Sequence, residues 1–270
     1  MHRIMLKVIV VMTLGFLLLV PRISIAMDIV PNYDPNITAQ QKAILDEKIA
    51  LWEDRLCCDI VLTIDFSNAD LGDPFFGSPP KAVPGMELVI GTLPTGEFLT
   101  LGETDQFQED PVSKKPTHAR IRFNNNPTVP WHYGGIPVPA DKYDFWTVAN
   151  HEIVHACGFT VNNSKFNSNV DPVTRIFTCG SITAQLTPAE QGTHLDPGTH
   201  PGDLMEPTLG KGERRTPSQL SINMLRCKFP CEPPIPSLTQ WGLIVLILGV
   251  VAAAIWSFLW RRRAVKRSMA

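Results

Sequence analysis

Neither sign of charge is in excess in this chain: 24 Lys and Arg stand against 26 Asp and Glu, a formal charge of −2 over 270 residues. A near-neutral chain offers no basic face to a phosphate backbone, so no nucleic-acid partner is expected. Internal repeats are absent, which excludes a solenoid or propeller. The six cysteines (57, 58, 157, 179, 227 and 231) do not form a pair of C-x-x-C knuckles, which speaks against a cysteine-rich zinc site. Their even number in an exported chain favours disulfides. Fifteen pairings are open; the preferred one joins Cys157 to Cys179, with Cys57 and Cys58 paired to Cys227 and Cys231.

Long uncharged runs are confined to the two ends. His2, Arg3 and Lys7 precede the apolar run 8–20, and Ser24 and Ala26 follow it. This is the layout of a secretory signal peptide cut after Ala26, with a retained anchor as the alternative. At the other end, 243–260 carries no charge and is close to the hydrocarbon thickness as a helix. Arg261, Arg262, Arg263, Lys266 and Arg267 follow it, and positive residues stay cytoplasmic, so the residues before 243 are expected outside the cytoplasm. The expected organisation is a leader (1–26), one domain (27–231), a Pro-rich linker and sorting motif (232–242), a transmembrane helix (243–260) and a basic tail (261–270).

Within the domain, Ile37-Thr38 opens a helix with apolar Ile44, Ile49, Leu51, Trp52 and Leu56. Strands are expected over 59–66, 86–92, 97–101 and 118–123, with loops over 67–86 and 124–140. Asp144 reads as an N-cap, 145–157 as a helix ended by Gly158, and 218–226 as a short last helix. Between Gly158 and Ser218 there is little periodic pattern. The fold class is α+β.

The helix over 145–157 carries HEIVHACGF (151–159). On a helix His151 and His155 lie one turn apart on one face and can meet one metal ion. Glu152 is angled toward the same place, where it can take a proton from metal-bound water and pass it to a leaving amine. A hydrolytic zinc needs a third protein ligand. The continuous form HExxHxxGxxH is absent, because Val161 stands at its last position. The later stretch 194–207 supplies His194 and His200 as candidates, with Asp196 and Asp203 as possible oxygen ligands.

Two resemblances follow from these residues. HEIVHACGF, a distant histidine and then Asp203-Leu204-Met205 with Pro207 resemble the leishmanolysin-type metzincins and their bacterial relatives. In that family the third histidine precedes the methionine of a turn beneath the zinc by eleven positions. His194 precedes Met205 by eleven and His200 by five. The resemblance therefore implies a zincin-like fold with a twisted mixed sheet, an active-site helix and a loop-rich C-terminal subdomain. It implies one Zn2+ per chain on His151, His155 and His194, Glu152 as general base and acid, and a protein or peptide substrate. In related zincins an edge strand lines the substrate cleft, and 118–123 is the candidate here. His132 and Tyr133 are candidates to reach the site from the preceding loop. The tail, with Ile235, Pro236, Ser237, Leu238, Trp241, Gly242 and Arg261–Arg263, resembles the IPTL variant of PEP-CTERM sorting signals. That implies export across the inner membrane of a Gram-negative bacterium and processing by an exosortase-like enzyme. The competing expectation is a zincin-fold surface binding or structural protein with little activity; a zinc hydrolase of non-protein amides is a third.

Overall fold

A strand absent from the sequence reading opens the domain. The computed structural model describes residues 27–56, 58–72, 75–76, 87–92, 97–187, 194–230, 247–252 and 254–256, and Ile25–Cys231 forms one of two units of the chain. The leader (1–26), the sorting motif (232–242) and the basic tail (261–270) lie outside the described residues. Of 243–260 only 247–252 and 254–256 are described, as helix; no described helix is long and apolar enough to cross a membrane.

The domain is α+β and built on one mixed sheet. Its strands are β1 (Asp28–Tyr33), β2 (Val61–Ala69), β3 (Phe75–Phe76), β4 (Glu87–Thr92), β5 (Glu97–Glu109), β6 (Pro116–Asn124) and β11 (Thr208–Leu209), in the order β1-β2-β6-β5-β4-β11, with β3 pairing β5. β1, β2 and β6 run parallel, β5 runs antiparallel to β6 and β4, and β11 runs parallel to β4. The alternation of β2 and β6 sets their register: Leu62, Ile64 and Phe66, and Ala119, Ile121 and Phe123, face the core. On the opposite face Arg120 is bidentate on Asp105, and His118 Nε2 lies 2.8 Å from Asp65 Oδ2. β6 lies between β2 and β5, so 118–123 is an interior strand and has no edge on which a peptide could add. A period-two pattern reports a buried face, not a position in the sheet.

Helix α1 (Ala39–Arg55) begins in a capping box: Thr38 Oγ1 accepts from Gln41 N and Gln41 Oε1 from Thr38 N. Helix α2 (Phe145–Ala156) packs on α1 and on β4, β5 and β6. Its N-cap Asp144 accepts from Thr147 N at 3.0 Å and Thr147 Oγ1 at 2.6 Å. Every α2 residue except Trp146 is buried, so this helix has almost no solvent-facing side. Trp52 Nε1 donates to Asn150 Oδ1 at 2.6 Å, which joins the two helices inside the core. Gly158, at φ +100°, ends α2 in a left-handed turn that a residue with a Cβ would strain to adopt.

The segment after Gly158 holds the one-turn helix α3 (Ser164–Asn167), the hairpin β9 (Ile176–Cys179) and β10 (Ile182–Gln185), and helix α4 (Gln219–Lys228). Strands β7 (Trp131–His132) and β8 (Tyr143–Asp144) pair parallel just before α2. The disulfide expectation needs correction: Cys179 bonds Cys227, joining β9 to α4, and Cys157 and Cys58 are buried free thiols. Cys157, just past the end of α2, is buried with its Sγ 4.0 Å from Met27 Sδ. Its burial pushes the thiol pKa well above its ordinary value, so it is not a thiolate beside the histidines. Cys57 and Cys231 lie outside the described residues.

Lys228, near the end of α4, is almost fully buried, and burial with Lys165 nearby pulls its pKa down from 10.5 to about 8. Below pH 8 both the folded and the unfolded chain carry this charge, and the folded chain bears the desolvation cost. Between pH 8 and 10.5 the unfolded chain holds the proton and the folded one has released it, so wild-type stability rises with pH in that window. Lys228→Met is therefore expected to raise Tm at pH 7 by about 2–4 °C, equivalent to about 1 kcal/mol in a domain of this size. Thermal melts at pH 7 and pH 9.5 check this: the margin narrows at the higher pH.

Candidate metal centre

His151 and His155 come from α2 and point the same way because they are one turn apart. His194 comes from a different kind of support. Leu186 and Leu195 form an antiparallel bridge, Thr187 N donates to His194 O at 2.9 Å, and Leu195 N donates to Met205 O at 2.9 Å. The third histidine is thus held on a small ladder between the end of β10 and the segment around Met205. The fold brings His151, His155 and His194 together, with ligand atoms within 4.8 Å of one another, close enough to hold a metal ion. All three are fully buried.

The hydrogen bonds settle which ring atoms face the centre. His151 Nδ1 lies 2.7 Å from Leu204 O, and His155 Nδ1 lies 2.7 Å from Phe159 O. A carbonyl oxygen only accepts, so both Nδ1 atoms carry the proton and both neutral rings present an Nε2 lone pair. Burial first, and then the neighbouring histidines, hold both pKa values well below 6.5, which keeps the rings neutral. Yet His155 Nε2 lies 3.0 Å from His151 Nε2 and 3.3 Å from His194 Nε2. Lone pairs that close repel unless a cation sits between them. Tetrahedral zinc with bonds of 2.0–2.1 Å separates its nitrogens by about 3.3 Å, so the donor set fits such an ion.

Glu152 is also fully buried and lies against β5. Thr104 Oγ1 donates to its Oε2 at 2.7 Å. At Gly102 the strand approaches α2 so closely that a Cβ would sit 2.9 Å from Val148 Cγ1 and 3.1 Å from Glu152 Oε1. Thr104 and Gly102 were not singled out from the sequence, and no local pattern marks them, since their role arises from the pairing of strand and helix.

The other candidates are held elsewhere. His200 Nε2 accepts from Gln185 N at 3.3 Å. Asp196 caps its own turn through Thr199 N and Thr199 Oγ1. Asp203 Oδ1 accepts from Met205 N at 2.8 Å and Ser221 Oγ at 3.0 Å. Met205 is fully buried in the core. His132 Nε2 lies 2.8 Å from Gly135 O within its own loop, and the Tyr133 ring packs on Phe145 at 5.1 Å. Compared with protein-family models and with curated proteins, the chain matches none.

Proposed function

We propose that the chain is a zinc-dependent endopeptidase on a zincin-like domain, of metzincin type and similar to the leishmanolysin-like group. The observation that carries this reading is the convergence of three buried imidazoles, His151, His155 and His194, two of them held with a proton-free Nε2 by backbone carbonyls. These three residues would hold one zinc ion. When bound, zinc supplies a water of lowered pKa, near 7, and a positive centre for charge that develops on a peptide carbonyl. Glu152 takes the proton of the attacking water and delivers it to the leaving amine. Thr104 fixes the rotamer of that carboxylate through its hydrogen bond to Oε2. Met205 packs in the core beside the metal-facing segment and is no ligand. The leader and the tail of the chain make this an exported protein, anchored or sorted at the cell surface.

Metal removal tests the reading. Stripping the protein with a chelator is expected to lower hydrolysis of a denatured protein substrate by about three orders of magnitude, and stoichiometric zinc to restore it. Hydrolysis that survives removal of all metal sinks the proposal. A second reading has one observation in its favour. His151, Glu152, His155 and His194 are each 0% exposed, so the site admits no polypeptide without some opening. A zinc-holding surface protein with little activity would bind the ion and cleave nothing.

A further inference from the structure

We propose that Arg215 is a positioning residue for the metal centre: it braces the segment 203–208 so that Leu204 O meets His151, and so sets the direction of a metal-facing nitrogen. The inference rests on reading the three histidines as a zinc site.

One guanidinium nitrogen meets both ends of this segment. Arg215 Nη1 donates to Thr208 O at 2.7 Å and reaches Asp203 O at 3.5 Å, and it pairs with Glu206 Oε2 at 2.9 Å between them. Nη2 donates to Glu213 Oε2 at 2.8 Å. The Arg215 and Glu206 side chains are 13% and 7% exposed, so this pair is not a loose surface contact. Inside the braced segment lie the two atoms that matter. Leu204 O accepts from His151 Nδ1–H at 2.7 Å. Met205 O takes the Leu195 N–H at 2.9 Å, next in sequence to His194. Two of the three imidazoles are therefore directed from one short stretch of backbone, and that stretch is spanned by one side chain.

The preceding residue anchors the brace. Arg214 Nε and Nη2 meet Asp144 Oδ2 and Oδ1 at 2.9 and 2.6 Å, and Nη2 also donates to Gly134 O. Arg215 N donates to Thr147 Oγ1 at 3.0 Å. Asp144 and Thr147 form the cap of α2, the helix that carries His151. Consecutive arginines thus tie the start of the ligand helix to the backbone that orients its first ligand. Glutamine cannot replace Arg215, because its neutral amide is shorter than the guanidinium and brings no charge to Glu206.

Zinc affinity of the purified full-length protein, measured by competition with a chromophoric chelator, tests this without any substrate. Arg215→Met is expected to weaken zinc binding by about 10–100-fold, the usual cost of losing a group that orients a ligand. Cobalt(II) placed in the site should show visible bands of lower intensity in the variant, a signature that a loss of overall stability alone would not move. If Arg215→Met does not fold, Arg215→Gln carries the test: weakened binding supports the proposal and unchanged binding overturns it. Wild-type affinity in Arg215→Met, within about twofold, overturns it as well while leaving the zinc site intact. A wild-type protein that binds no zinc removes the site itself, and the inference falls with it.

Discussion

Glu152→Gln is expected to leave about one zinc per chain in place while hydrolysis of a peptide substrate falls by about 10²–10⁴-fold. The substitution suits the site. Glutamine has the shape of glutamate, so it does not press on Gly102, where strand and helix are already closest. Its side-chain oxygen still accepts from Thr104 Oγ1, now 2.7 Å from the carboxylate. What is lost is the ability to take a proton. Alanine would be a poorer test, because it opens a cavity in a helix buried on nearly every side. Zinc content and turnover measured on the same preparation separate the readings. Full turnover in the glutamine variant would remove Glu152 from the chemistry. No turnover in the wild type, with zinc bound, would favour the surface binding protein.

The second large effect concerns the third histidine. His194→Ala should lower zinc affinity by more than the 10–100-fold that loss of an orienting group costs, because a direct ligand is removed. His200→Ala should leave zinc content unchanged, since that ring is engaged with Gln185 N outside the cluster. Zinc per chain after gel filtration, for both variants beside the wild type, reads this directly. His194 is fully buried, so its removal also leaves a void. Melting of the metal-free forms keeps the two effects apart. A variant that loses His194 and keeps its zinc would refute the three-histidine centre.

How far these features could be read in advance depended on the range of the interactions behind them. The cap of α2 was legible because Asp144 and Thr147 act within one turn. The resemblance to leishmanolysin-type metzincins singled out His194 over His200, and His194 is the histidine that the fold carries to the other two. Strand β1 escaped notice because Asp28–Tyr33 contains Pro31 and turns only Ile29 fully inward; it exists through parallel pairing with β2, a partner many residues away. β5 runs to Glu109, well past the apolar stretch, because β6 pairs with polar residues there as readily. The cysteine pairing was misjudged because it depends on which way the end of α2 faces. Leu204 O and Phe159 O, which orient two of the three imidazoles, are backbone atoms and carry no side-chain signal at all.

The bond between Cys179 and Cys227 closes a ring of the chain with a sequence separation of 48. His194, Leu204, Met205, Arg214 and Arg215 all lie inside it, while His151, Glu152 and His155 lie outside. The centre is thus divided between a rigid helix and a covalent ring, and the two parts mature by different chemistry. The helix needs only to fold. The ring needs an oxidant, and its closure limits the unfolded chain by about 4 kcal/mol in a loop-entropy account. Reducing the Cys179–Cys227 bond is therefore expected to loosen the stretch that carries His194 before it loosens the helix that carries His151 and His155.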